Sequence, residues 1–146
     1  MKKFRVLVID DSKVVCNLIQ SMIETRLKAE CIFETDPTKL SQDLLLDVDL
    51  VILDYYFGSI AESSKKNGLM YLKELNRLNS SIAVIAFSGQ KKIAKAAEMV
   101  SRGAFEYIDK NEDNFIEVLL QSVKKIKDFK TSGFNIQSSQ INVNRI

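Results

Sequence analysis

Leu50-Val51-Ile52-Leu53-Asp54 is a run of four apolar residues that stops on a carboxylate. A short continuous run of this kind, β-branched at Val51 and Ile52 and entered through Asp47-Val48-Asp49, reads as a strand buried on both faces. Such strands occur mainly inside α/β sheets. A strand interior does not hold an unpaired charge, so Asp54 is expected just beyond the carboxyl end, where open α/β sheets place their ligands.

On the N-terminal side, Phe4 to Ile9 is a second apolar run, interrupted by Arg5, that also ends on carboxylates, Asp10-Asp11. Ser12 is placed to cap a helix in which Val15, Leu18, Ile19, Met22 and Ile23 recur at helical spacing as far as about Leu27. Glu30 to Thr35 is a weaker strand. Asp36-Pro37 reads as an N-cap followed by proline at the first helical position, opening a helix to about Leu46.

On the C-terminal side, residues 55 to 67 form a connection longer than most strand-to-helix loops. Its Ser59, Ser63, Ser64, Lys65 and Lys66 read as a solvated insertion that shapes access to Asp54. Gly68 ends the loop, and Leu69, Leu72 and Leu75 mark a third helix. Ile82 to Phe87 is a fourth buried strand ending in Ser88-Gly89. A fourth helix is expected to bury Ile93, Ala96, Ala97 and Val100 and to stop at Gly103 in the C′ position. Phe105 to Ile108 is a fifth strand with Asp109-Lys110 at its end, and Ile116, Leu119, Leu120 and Val123 mark a helix from about Glu112 to Phe129. Five strands alternating with five helices predict an α/β fold, a doubly wound parallel sheet with helices on both faces.

The 146 residues suit one domain that buries roughly 70% of its unfolded surface. The formal charge of +2 is unevenly spread. Residues 124 to 146 carry Lys124, Lys125, Lys127, Lys130 and Arg145 against Asp128 alone. A near-neutral body gives no case for direct nucleic-acid binding, and the basic end reads as a solvated helix face. The lack of a long apolar stretch or signal peptide predicts a cytoplasmic protein without membrane insertion. Cys16 and Cys31 show no metal-ligand spacing and fit a reducing compartment. Histidine is absent, which removes Ser-His-Asp and Cys-His catalysis and leaves carboxylates, hydroxyls and lysines for any chemistry. Residues 131 to 146 turn polar, with Phe134, Ile136, Ile141 and Val143 as two short alternating pairs, and are expected to be a tail or weak hairpin.

Asp10, Asp11, Asp54, Ser88 and Lys110 all fall at the carboxyl ends of strands, so the fold brings them to one edge. Three carboxylates there repel, and a hard divalent cation such as Mg2+ is the simplest neutraliser. A lysine and a hydroxyl opposite it complete a cradle for a phosphoryl group. Singly, each residue is adequately explained as a cap or a surface charge. Jointly, four of five strand ends carry complementary phosphoryl-transfer groups.

Over residues 4 to 129 the chain resembles the response-regulator receiver family of two-component signalling. Val8-Ile9-Asp10-Asp11-Ser12 is similar to its acidic pair, Leu53-Asp54 to its phosphoacceptor, and Asn67-Gly68-Leu69-Met70-Tyr71-Leu72 to the opening of its third helix. Ser88 stands at its hydroxyl switch, and Gly103-Ala104-Phe105-Glu106-Tyr107-Ile108-Asp109-Lys110 resembles its final motif, with Tyr107 as switch aromatic and Lys110 as its lysine. The chain departs from the pattern at Phe57-Gly58, where the family has methionine and proline. It departs again at Asn111, where the family has a cis proline; a trans Lys110-Asn111 bond is expected, because cis costs about 3 to 4 kcal/mol before a non-proline residue.

The resemblance implies a flavodoxin-like fold with strand order 2-1-3-4-5 and a magnesium-dependent transfer of phosphoryl from a sensor histidine kinase or histidine phosphotransfer protein to Asp54. It implies that Asp11 binds the ion directly, Asp10 through water, and Asp54 and the Tyr56 carbonyl also as ligands. Lys110 and Ser88 would meet the phosphoryl oxygens. Output would pass through helix four, strand five and helix five to a downstream protein or a second copy. A receiver over 1 to 130 with no output domain after it is expected, acting on itself rather than as an enzyme on others. Two other readings stay open. One is a pseudo-receiver that binds partners without phosphorylation. The other is a phosphatase of the haloacid dehalogenase type, although Tyr56 stands where that family wants a second aspartate.

Overall fold

The computed structural model describes residues 2–55, 68–89 and 93–132. Among them, five parallel strands form one sheet in the order β2-β1-β3-β4-β5: β1 Arg5–Ile9, β2 Glu30–Glu34, β3 Leu50–Asp54, β4 Ala83–Ser88 and β5 Glu106–Asp109. The helices are α1 Lys13–Arg26, α2 Gln42–Leu46, α3 Gly68–Leu78, α4 Ile93–Ser101 and α5 Phe115–Thr131. No described helix is long and apolar enough to cross a membrane.

Alternation along the strands sends successive side chains to opposite faces and divides the core in two. Val6, Val8, Leu50, Ile52, Ile85 and Phe87 pack with Ile19 and Ile23 of α1 and with Leu119, Val123 and Ile126 of α5. Leu7, Ile9, Val51, Leu53, Val84 and Ala86 pack with Leu45 of α2, Leu72 and Leu75 of α3 and Met99 of α4. Both faces of β3 are therefore covered, as its unbroken apolar run requires, and each such side chain contributes about 1.5 to 3 kcal/mol.

Local signals set most element ends. The Ser12 hydroxyl accepts the Val15 N–H at 3.3 Å and starts α1. At the end of α4, Gly103 has φ 112°, its N–H donates to the Val100 carbonyl, and the Ala104 N–H donates to the Met99 carbonyl. Those two bonds are the Schellman pattern, so Gly103 holds the expected C′ position.

Several expectations are corrected. The segment from Pro37 to Leu46 is not one helix. A 3-10 turn at Pro37–Lys39, capped by Asp36, is followed by extended Leu40, and Ser41 caps α2 separately by accepting the Leu44 N–H at 3.1 Å. A second capping hydroxyl so close behind the first restarts the helix. On α1 the buried stripe is Cys16, Ile19 and Ile23, while Leu18 and Val14 point outward. On α4 Met99 is buried, the expected Ala96 and Val100 are half-buried beside it and Ala97 is exposed, because the stripe at helical spacing through 96, 99 and 100 leaves 97 off the docked face; the Ile93 side chain lies outside the described residues. The last helix begins at Phe115, after a turn closed by Glu112 N–H to Asp109 carbonyl.

The basic C-terminal helix is only partly a solvated face. Lys124 pairs with Asp128 on the surface. Lys127, in contrast, donates to the Leu27 carbonyl at the end of α1, and Lys130 donates to the carbonyls of Asp49 and Ser81 at 2.8 and 2.7 Å. Burial lowers the Lys130 pKa. Lys127 thereby gives the carbonyl at the end of α1 a donor, and Lys130 bridges the chain segments that lead into β3 and β4, where the Asp49 carbonyl also accepts the Ala83 N–H at 3.2 Å.

Candidate functional site

The carboxyl ends of β1, β3, β4 and β5 converge. Parallel pairing aligns Ile9 with Leu53, Asp54 with Phe87 and Ser88 with Asp109, which brings Asp10, Asp54, Ser88 and Lys110 to one edge. Asp54 is the last residue of β3 rather than a residue beyond it, and it is buried. Lys110 Nζ, 3.6 Å from the Asp54 Oδ1, offsets only part of the cost of burying that carboxylate.

Asp10 is wholly buried with both carboxylate oxygens engaged. Its Oδ1 accepts the Ser12 N–H at 2.7 Å, and its Oδ2 accepts from Lys110 Nζ at 2.5 Å. Asp11, the next residue, is exposed. Oxygens of Asp10, Asp11 and Asp54 lie within 4.8 Å of one another, which makes the trio able to hold a metal ion. Crowding and burial act on the charges. Burial first, then Asp10 and Asp11 against the opposing pull of Lys110, pushes the Asp54 carboxyl up to about 7. Burial and Asp10 also raise Asp11. Carboxylates that resist ionisation in this way fit an oxygen-seeking divalent cation.

Lys110 is steadied on its other side by Phe87, whose ring centroid lies 4.4 Å from Nζ, a cation–π contact. Its backbone N–H donates to the Ser88 carbonyl at 3.0 Å. Ser88 is buried, and a side-chain hydrogen bond joins it to the Tyr107 phenol, which is half-buried. Burial raises the Tyr107 pKa despite the Ser88 bond.

Gly68 is required by proximity: a Cβ there would lie 2.7 Å from the Tyr55 Cα and 2.8 Å from the Asp54 carbonyl oxygen. Its N–H donates to the Tyr55 carbonyl at 2.8 Å, so α3 starts directly against the end of β3. The Lys110-Asn111 bond is trans, since no described peptide bond is cis. No local signal in the sequence marks Phe87 as part of the site, since its contact with Lys110 follows from the pairing of β4 with β5. Asn111 stands out in the sequence only as the place of the family's proline. Tyr56, the loop from 56 to 67 and the tail from 133 to 146 lie outside the described residues.

A family model described as the response regulator receiver domain matches residues 6–124. A protein-glutamate methylesterase/protein-glutamine glutaminase of Clostridium acetobutylicum is 31% identical over 96% of this chain, which spans 38% of that protein. A Rickettsia typhi protein named as an NtrX-like response regulator is 29% identical over 97% of this chain and is spanned to 29%. The chain thus covers about a third of the length of these relatives. Among solved structures, a response regulator receiver domain protein from Clostridium thermocellum has a TM-score of 0.74 at 22% identity, covering 90% of this chain and 99% of that one. A response regulator from Burkholderia pseudomallei, solved with a phosphorylated aspartic acid, calcium ion and citrate, has a TM-score of 0.67 at 20% identity, with 88% and 72% covered.

Proposed function

The chain belongs to the response regulator receiver family, and from that premise we propose that Asp54 accepts a phosphoryl group from a phosphohistidine on a sensor kinase or phosphotransfer protein. An Asp54 oxygen attacks phosphorus, an O–P bond forms as the P–N bond breaks, and the imidazole leaves with the electron pair and takes up a proton. The observation that carries this reading is Lys110 Nζ set between Asp10 and Asp54, beside a carboxylate trio able to hold an ion.

Each residue has a distinct task in this proposal. Asp10, Asp11 and Asp54 would hold Mg2+, which when bound supplies positive charge against the carboxylates and the phosphoryl oxygens. Asp11 is suited to direct contact because it is exposed, whereas Asp10 already has both oxygens engaged. Lys110 donates to a phosphoryl oxygen from its present place near Asp54, and Ser88 donates to another. The Ser88 hydroxyl is also bonded to Tyr107, so a phosphoryl oxygen that recruits it alters the Tyr107 environment. Tyr107 sits on β5 between α4 and α5, and that face is the proposed surface for a downstream partner or second copy. The exposed Val14 and Leu18 on α1, next to Asp11, suit the approach of the phosphoryl donor.

The test is intact-protein mass after incubation with acetyl phosphate and magnesium. The proposal expects one added phosphoryl group on the wild type and none on Asp54→Asn. An unmodified wild type, under conditions that label a known receiver, would favour a partner-binding domain that works without phosphorylation. Sustained release of phosphate from free esters would favour the phosphatase.

A further inference from the structure

Beyond Ser88 and Asp109, the last pair in their ladder, β4 and β5 keep two links. The Lys110 N–H donates to the Ser88 carbonyl at 3.0 Å. The Asn111 side-chain amide then donates to the Gly89 carbonyl at 2.5 Å, a further rung made by a side chain where the two backbones part. Asn111 is itself held, because its backbone N–H donates to the Asp109 carboxylate at 2.8 Å and the Glu112 N–H closes the same turn onto the Asp109 carbonyl. The residue is exposed, so these bonds organise the two loops rather than bury apolar surface. A proline after the lysine would have neither the N–H that Asp109 accepts nor a donor for Gly89.

We propose that Asn111 is a positioning residue that locks the turn after β5 to the end of β4, so that Lys110 and Ser88 meet the phosphoryl group as one piece. The inference rests on the phosphoacceptor reading of Asp54. Ser88 and Lys110 each stand one residue before an end of the Asn111–Gly89 link. If the link is cut, the ammonium and the hydroxyl lose their common frame while the carboxylates on β1 and β3 keep theirs.

The test uses Asn111→Ala and the near-isosteric Asn111→Asp, in which an acceptor faces the Gly89 carbonyl. The first measurement is amide hydrogen exchange without a phosphodonor. In Asn111→Ala the Lys110 N–H should exchange about tenfold faster than in wild type, while Val84 and Ile85 keep their rates. The second is phosphorylation by acetyl phosphate at saturating magnesium. The limiting rate should fall roughly tenfold in both variants, with magnesium affinity and thermal midpoint unchanged. If the wild type accepts no phosphate, the reading of Asp54 fails, and exchange at Lys110 still reports whether Asn111 ties the loops. Wild-type exchange at Lys110 in Asn111→Ala overturns the proposal. So does a wild-type limiting rate in both variants, or a loss of magnesium affinity in step with the rate.

Discussion

Lys110 and Asp10 are 100 residues apart in sequence, yet Nζ and Oδ2 lie 2.5 Å apart at the edge of the sheet. The pair is nearly enclosed, and the same ammonium serves Asp54. Removing one member of a buried pair leaves the other charge uncompensated, a loss of about 3 to 5 kcal/mol. Lys110→Ala should therefore lose stability on that scale in urea unfolding with a chelator present. Magnesium should restore more stability to this variant than to the wild type, because the ion takes over the charge that Lys110 balanced. Equal stabilisation of both by magnesium would mean that the ion and the lysine do not share these carboxylates.

Asp54 predicts a pH dependence of defined sign. Its carboxyl titrates near 7 in the folded chain against an ordinary value of 3.8. The folded state binds this proton more tightly than the unfolded one, so Asp54 costs stability progressively as pH rises from about 4 through 7. Without metal, Asp54→Asn should exceed the wild type at pH 8 by a few kcal/mol, on the order of the cost of ionising a buried carboxyl. The gap should narrow towards pH 5. Urea titrations at the two pH values with a chelator decide it, and a gap that does not change with pH counts against a raised Asp54.

Gly68 has backbone, not a flexible side chain, where its Cβ would go. Gly68→Ala should push α3 away from the end of β3, lose about 1 to 3 kcal/mol, and slow phosphorylation by displacing Asp54. Gly89→Ala is the steric control, since its Cβ would meet Asn111 at an ordinary 3.9 Å. Thermal melts and labelling rates of the two variants make the comparison.

Lys28, just past α1, has φ 55°. A residue with a Cβ is strained in that left-handed position, which glycine occupies freely. Lys28→Gly should raise stability by roughly 0.5 to 1 kcal/mol, with phosphorylation rates unaltered because the site lies at the opposite end of the helix. A lower melting temperature would show that the lysine side chain outweighs the backbone strain.

The Ser88–Tyr107 bond makes the output separable from the chemistry. Ser88→Ala should still accept phosphate at Asp54, more slowly, but transmit it poorly to a partner or to dimerisation. A coupling of about 1 to 3 kcal/mol corresponds to a 5- to 150-fold difference in affinity between the two states. If phosphorylated Ser88→Ala and Tyr107→Ala bind the partner as the phosphorylated wild type does, output leaves by another face.

The sequence by itself determined the five strands, the parallel doubly wound sheet, and the edge to which Asp10, Asp11, Asp54, Ser88 and Lys110 are brought. Those readings rest on local physics: unbroken apolar runs, helical spacing, the Ser12 cap and the αL glycine at 103. Only the tertiary structure decided that Asp54 is buried within its strand, that Leu18 faces outward, that Lys127 and Lys130 fold back onto carbonyls, and that Asn111 ties two loops. Each of these depends on a partner far away in the chain or on how a helix is rotated as it docks. Spacing within a segment specifies which residues share a face, but it carries no information about what lies opposite that face, and it is the opposing group that determines whether a charge can be buried.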